Sequence, residues 1–459
     1  MTPIWPEMFR TFGRIGLLSF GGPAAQIAVM HDELVGRRRW MDEPAFLGAL
    51  SFCMLLPGPE AMQLATWCGW KQRGTAGGLL AGLLFVLPGA ALILALAFAY
   101  AAWGDLPVIR DAFLGIKALV IVIVLQALWK VSKKALTGAE GWVIAALAFT
   151  AIYALNLPFP LIILAAGLWG AMTAGATSTT TTTPQAAPAG TLRTVLVWGA
   201  LWLAPLPVLA LAGQTFLLTL SLFFAKLAVV TFGGAYAVLA YMAQAVVETH
   251  GWLTPEQMID ALGLAETTPG PLILVTQFTG HLAGIAAGGT GLGLAAGLLT
   301  LWMTFVPCFL WIFAFAPHVD RILAAPRLKS ALKAITAAVV GVILNLSLWF
   351  ALHVLFARPD TGRAIPLPDP ASFDPLAGAL TLLAALLLLV LKLPMIPALA
   401  GMAALGDVVP IKVTDVAGLV ALALRARGGP QTGALLRALG TSLLLAVLFD
   451  AGRALGAGN

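Results

Sequence analysis

Two basic residues, Arg14 and Lys226, stand inside apolar stretches, and each is followed at matching distances by a glycine pair and then a proline-glycine-proline turn. The first set is Gly21-Gly22 with Pro57-Gly58-Pro59; the second is Gly233-Gly234 with Thr268-Pro269-Gly270-Pro271. Each member recurs at one separation (270 − 58 = 212), and Met30/Met242, Val35/Val247, Trp40/Trp252 and Leu50/Leu262 keep the same step. The chain is therefore a duplication. A charge at mid-membrane costs about 2.5–3.5 kcal/mol on insertion scales, so two matched cations need a partner or a task. A helix that starts just after proline-glycine presents unpaired amides and the positive end of its dipole, and two such starts facing each other suit a small dianion. Gln26, Gln63 and Thr268 add hydrogen-bond donors, although intramembrane amides and hydroxyls also join helices with no ligand present.

The elements that must position these groups are membrane elements. Hydrophobic residues make up 60% of the chain and charged residues 10%, against about a quarter charged in soluble domains. At roughly 20 residues per crossing, the length leaves room for about ten to twelve spanning elements and no separate soluble domain. The 48 glycines exceed the norm of about 7% and suit close or interrupted helices. A net charge of +6 fits cytoplasmic loops rather than nucleic acid. Cys53, Cys68 and Cys308 have no ligand spacing, and the five histidines are scattered. No metal or cofactor is expected, and a lipid-phosphate enzyme would need the His, Asp or Ser cluster that is missing. The first twenty residues lack the pattern of a cleaved signal peptide.

Taken in order, residues 5–30 read as a first helix containing Arg14, bent near its far end at Gly21-Gly22-Pro23. Arg14 lies about ten residues in, roughly 15 Å at 1.5 Å per residue, deeper than easy snorkelling. Residues 45–56 are too few to cross, and with the run ending at Lys71 and Arg73 they read as a re-entrant hairpin or two half-helices. Residues 75–103 and 112–130 cross. Residues 141–172 are broken at Leu157-Pro158-Phe159-Pro160, and a threonine-rich linker, Thr177 to Thr183, precedes a further apolar run at 194–212. The later members of the second copy keep step at new offsets, Pro88 with Pro307 and Leu157 with Leu393. The expected division is a first repeat over 1–172, a linker with an additional apolar segment over 173–213, a second repeat over 216–406 and a C-terminal segment over 407–459.

Basic residues set orientation. Arg37, Arg38, Arg39, Lys71 and Arg73 of the first copy face no counterparts in 243–255 and 281–292, and the bias reverses at Arg321, Arg327, Lys329 and Lys333 against Arg110 and Lys117. The expected fold is an all-α polytopic membrane protein with two inverted-topology repeats and broken or re-entrant helices. Inversion requires an odd number of crossings between Gly21 and Gly233, which leaves the count within 141–212 open.

Phe20-Gly21-Gly22-Pro23 with Gln26, Met30-His31, Trp40, Pro57-Gly58-Pro59 and Gly69, repeated as Phe232-Gly233-Gly234, Trp252 and Pro269-Gly270-Pro271, resembles the chromate transporter family, long-chain two-domain type. The resemblance covers roughly residues 5–172 and 216–405. It implies an inner (plasma) membrane protein of bacterial type that exports chromate and confers chromate resistance, with sulfate, a near-isostere, as the alternative substrate. It carries Phe20 and Phe232 into the site beside the glycines and prolines, with Arg14 and Lys226 as weaker members. Membrane lipids are the expected surroundings, nucleic acid is not a partner, and a homodimer is allowed. The family pattern has an aromatic near the glycine ending the second hairpin, where this chain has His281.

Overall fold

Glycine and proline decide where the helices stop. In the computed structural model, which describes residues 3–104, 106–174, 190–232, 235–357 and 368–407, α1 (Trp5–Leu18) ends at Ser19, and α2 (Gly22–His31) begins after Gly21 and Gly22 at φ of 85° and 78°. A side chain at either glycine would meet its own backbone in this left-handed region. The turn is a reversal rather than the bend expected from sequence. Glu7 pairs with Arg38 at 3.0 Å, Arg14 with Glu33 at 3.4 Å, and Phe12 packs on Trp40 with centroids 6.1 Å apart. These pairs are symmetric about the turn, so α2 runs back along α1 and continues into one wide turn, Asp32–Arg37.

The next element is a second hairpin. Helix α3 (Glu43–Cys53) is capped by Asp42, whose carboxylate accepts from the Ala45 amide at 2.9 Å. The chain turns through Pro57-Gly58-Pro59 into α4 (Glu60–Trp103). The Gln72 amide donates to the Trp40 carbonyl at 2.8 Å, and Cys68 meets Met41 at 3.7 Å, so the start of α4 runs back along α3. Helix α4 is itself broken at Arg73 and Gly74, the latter at φ 60°. Its two arms fold together where Gly69 and Gly77 meet: a β-carbon on either would strike the other's carbonyl oxygen.

Helices α5 (Pro107–Ala135), α6 (Ala139–Tyr153), α7 (Phe159–Thr173), α8 (Thr191–Leu203) and α9 (Pro205–Leu211) complete the first half. The second half repeats the pattern with α10 (Thr215–Val230), α11 (Ala235–Gln244), α12 (Pro255–Thr267), α13 (Val275–Gly288), α14 (Thr290–Phe315), α15 (Val319–Ala324), α16 (Pro326–Leu355), α17 (Pro375–Ala385) and α18 (Met395–Asp407). Helices α10 and α11 form a hairpin through Phe216 on Trp252 and Phe223 on Tyr241, centroids 6.2 and 5.8 Å apart. Fine backbone features repeat too. The Ser19 and Thr231 hydroxyls each donate one turn back, to Ile15 and Leu227, at 2.6 Å, while Asn156 and Lys392 take φ of 50° and 52° at the matching leucine-proline breaks. The copies differ at Leu272–Leu274, a 3-10 turn inserted between the second proline turn and α13.

The chain groups into two compact units. The first, residues 1–98, 128–254 and 264–345, contains both sets of motifs around a core that includes Phe12, Phe52, Phe85, Phe224 and Phe278. The second comprises 99–127, 255–263 and 346–459, where Gly115 lets α5 touch the Met402 backbone. Gly233, Gly234, the threonine-rich stretch, residues 358–367 and residues 408–459 lie outside the described residues. Five stretches are long and apolar enough to cross a membrane: Glu60–Trp103 (in two arms), Ile109–Ala135, Thr191–Leu211, Thr290–His318 and Pro326–Leu355. Large apolar side chains such as Leu147, Trp142, Leu196 and Leu211 stay exposed on helices, and no strand occurs among the described residues. The protein is an all-α multi-pass membrane protein.

Close helix packing at Gly69 predicts that Gly69→Val destabilises by about 1–3 kcal/mol through overpacking, whereas Gly199→Ala, with open space around it, leaves the midpoint unchanged or higher. Thermal unfolding of the detergent-solubilised protein checks both.

Candidate functional site

The turns at the ends of these hairpins are built from short apolar helices whose last carbonyls and first amides lack partners along the chain. Within the first unit the tips of opposite copies supply them. The Gly58 amide donates to the Thr231 carbonyl at 2.9 Å, and the Gly270 amide donates to the Ser19 carbonyl, also at 2.9 Å. Both glycines need their lack of a side chain. Gly58 has φ 117° and Gly270 φ 93°, and a β-carbon on Gly58 would lie 2.8 Å from Gln63 Nε2 and 3.0 Å from Cys308 Sγ. Each proline turn thus docks on the break that follows the cation-bearing helix of the other copy.

The sequence-predicted residues divide into two groups. Brought together at the tips are Pro57, Gly58, Pro59, Thr268, Pro269, Gly270 and Pro271, with Phe20 and Phe232 immediately after the accepting carbonyls. Phe20 and Phe232 turn tightly, their amides donating to Leu18 and Val230 at 2.9 and 3.0 Å. Gln26 joins them, its Nε2 donating to the Gly270 carbonyl at 2.6 Å, and Gln63 Nε2 donates to the Pro57 carbonyl at 2.7 Å. Gly21 and Gly22 open α2 at one tip; Gly233 and Gly234 lie outside the described residues.

Arg14 and Lys226 are not among the tip contacts, and they are not buried in the protein. The Arg14 side chain is 51% exposed and pairs with Glu33; Lys226 is exposed and lies over the Tyr241 ring at 5.7 Å. The reversal at Ser19 explains this, because it lays the turn after α2 beside Arg14. Glu33, 5% exposed, also meets Arg37 at 3.4 Å and Arg38 at 3.8 Å.

What remains at the tips is a set of first-turn amides, with the Glu60 carboxylate at the start of α4 and Gln63 Oε1, a buried acceptor without a partner, beside them. Each tip joins a helix C-terminus to a helix N-terminus, so the dipoles alone would largely cancel. The carbonyl side is covered selectively: Ser19 and Thr231 take theirs from the glycine amides, Pro57 and Gly270 from glutamines, and Ala265 from the Thr268 hydroxyl at 3.0 Å. The first-turn amides of α2 and α4, at Gly22, Ala24, Ala61 and Met62, have no acceptor within their helices. The amides of Gly58 and Gly270 are themselves committed, and Gln26 Nε2 reaches the Ser19 carbonyl at 3.5 Å as well as Gly270, so an anion would be met by the first-turn amides.

Several contacts follow only from the fold. Gly89 meets the Pro269 carbonyl and Cys308 meets Gly58; these two residues directly follow the matched Pro88 and Pro307, a signal that was present. Tyr236 donates to Glu266 at 2.7 Å. In the second unit, Asp260 is held by Lys117 at 3.3 Å and Tyr100 at 2.8 Å. Lys117, counted above as an orientation marker, is therefore a paired interior cation. His281 is buried, its ring against Phe98 with centroids 4.3 Å apart.

A family model described as Chromate transporter matches residues 6–171 and 218–406. The chromate transport protein of Pseudomonas aeruginosa is 32% identical over 346 residues, which cover 74% of this chain and 79% of that protein. The chromate transport protein of Cupriavidus metallidurans is 30% identical over 346 residues, 73% and 80% of the two chains. The probable chromate transport protein of Synechococcus elongatus is 29% identical over 340 residues, 73% and 82%. No solved structure matches. Because one family model spans both copies of the duplication, and the residues it covers include both sets of paired turns, the chain belongs to the chromate transporter family.

Proposed function

We propose that this protein exports chromate across a bacterial-type inner membrane, conferring chromate resistance, by alternating access between two inverted halves. The observation that carries the reading is the reciprocal docking of the proline turns, Gly58 on Thr231 and Gly270 on Ser19. Its support for inversion lies in the hairpin geometry. In the first copy Pro3, Trp40, Gln72 and Arg73 lie together at the hairpin bases, Arg73 donating to the Pro3 carbonyl at 2.6 Å, and the tips are where the other copy is met. Hairpins that meet at their tips are what two repeats entering from opposite faces would produce. The reversed basic bias of the loops points the same way.

In this reading the repeats are residues 1–172 and 216–406, joined by 173–213, with 407–459 as a C-terminal segment. The anion sits at the tips among the amides of Gly21, Gly22 and the first turn of α4, beside Gln26 and Gln63; Gly233 and Gly234 join them by the sequence duplication alone. Arg14 and Lys226 are charges along the approach rather than ligands. Export follows from the charge of the cargo: moving a dianion outward across 100 mV, negative inside, releases about 2 × 2.3 kcal/mol, a ratio of more than a thousandfold without a coupling ion. Sulfate shares the charge and tetrahedral shape, so a sulfate carrier or exchanger is the second reading, and sulfate competition against chromate flux ranks the two. No catalytic residue is assigned; membrane lipid surrounds the protein in this reading, which also allows a homodimer.

Two outcomes are expected in proteoliposomes. Chromate flux rises with an imposed potential and is abolished in Gly58→Ala and Gly270→Ala, which each carry about 1–3 kcal/mol of backbone strain at the docked turns; wild-type flux in both variants would remove the tips from the mechanism. Arg14→Gln raises the half-saturating chromate concentration severalfold with maximal flux near wild type, since a steering charge acts on encounter rather than on the bound state. A loss of maximal flux at unchanged half-saturation would contradict the approach role.

A further inference from the structure

Glu266 occupies the last turn of α12, three residues before Pro269, and is 5% exposed. Its Oε1 accepts a hydrogen bond from the Tyr236 hydroxyl of α11 at 2.7 Å. The pair therefore ties the helix that follows the second glycine break to the helix that leads into the second proline turn. No cation forms an ion pair with Glu266 among the described residues; Lys130 of α5 acts on it only through space. Further back on its own helix, Asp260 is engaged by Lys117 and Tyr100. The corresponding positions of the first copy are Met54 and Ala24, so the device exists on one side of the duplication only.

Three physical terms act on this carboxyl in one direction. Burial removes the water that would solvate its charge, and a single phenol does not replace that water. The end of a helix places partial negative charge beside it. A dianion at the neighbouring tips adds like-charge repulsion, which only a neutral carboxyl avoids.

We propose that the Glu266–Tyr236 pair is a proton-binding site, and that a divalent oxyanion binds at the hairpin tips only when Glu266 carries its proton, so that one proton is taken up from water as each anion binds. This rests on the oxyanion reading of the tips. Tyr236 holds the carboxyl in place and tunes it, because a donor to the ionised form favours that form.

The test is equilibrium chromate binding to the purified full-length protein across the alkaline range in which chromate stays a dianion. Wild-type affinity should fall as pH rises, approaching tenfold per unit, as one linked proton requires. Glu266→Gln should bind with an affinity that does not change with pH. Tyr236→Phe should keep the slope but begin its decline at higher pH, and this variant decides the matter if Glu266→Gln fails to fold. A wild-type slope retained in Glu266→Gln, or a pH-independent wild type, overturns the proton site. No chromate binding by folded wild type at any pH overturns the oxyanion reading instead, and the proton site with it.

Discussion

Two backbone hydrogen bonds hold the arrangement on which everything else depends: Gly58 to Thr231 and Gly270 to Ser19. A helix broken inside a membrane exposes amides and carbonyls that lipid cannot satisfy, so broken helices persist there only where protein or trapped water completes them. Here each copy completes the other. The docking demands a residue without a side chain at both contact points. It also demands a tight turn before the accepting carbonyl, provided by Ser19-Phe20 and Thr231-Phe232.

A consequence of mutual completion is that neither copy satisfies its own turns. The Ser19 carbonyl and the Gly58 amide belong to the same copy but look outward, to partners about two hundred residues away. The contact also selects chemistry. With turn carbonyls covered by glycine, threonine, serine and glutamine donors, the groups left open at the tips include the first-turn amides of the following helices, beside Gln63 Oε1 and the Glu60 carboxylate. Arg14, paired with Glu33, and Lys226, over the Tyr241 ring, stand apart from these contacts.

The copies have diverged where side chains rather than backbone define the role. Gln26, which braces Gly270, faces Val238 at the equivalent position; Glu33, which gathers three arginines, faces Ala245; and Tyr236 with Glu266 replaces Ala24 with Met54. Shared backbone and unshared polar groups are what a duplicated frame with a directional task would carry: the symmetric part sets geometry, and the asymmetric part distinguishes one half from the other.

The membrane class, the duplication and the positions of the breaks were all readable from composition, from the constant offset and from glycine and proline. Each of these follows from local rules that act within a few residues. Arg14 shows the limit of such rules. Its depth along an apolar stretch suggested a buried cation, but the chain reverses at Ser19, and that reversal puts Glu33 beside it and leaves half its side chain exposed. Lys117 erred in the opposite sense, its partner Asp260 being unrecognisable by spacing. Residue type and periodicity determined which segments are helical and where they stop. Only the tertiary structure decided which tip meets which, because an amide's acceptor across the chain is fixed by how the hairpins pack and leaves no local trace in the order of residues.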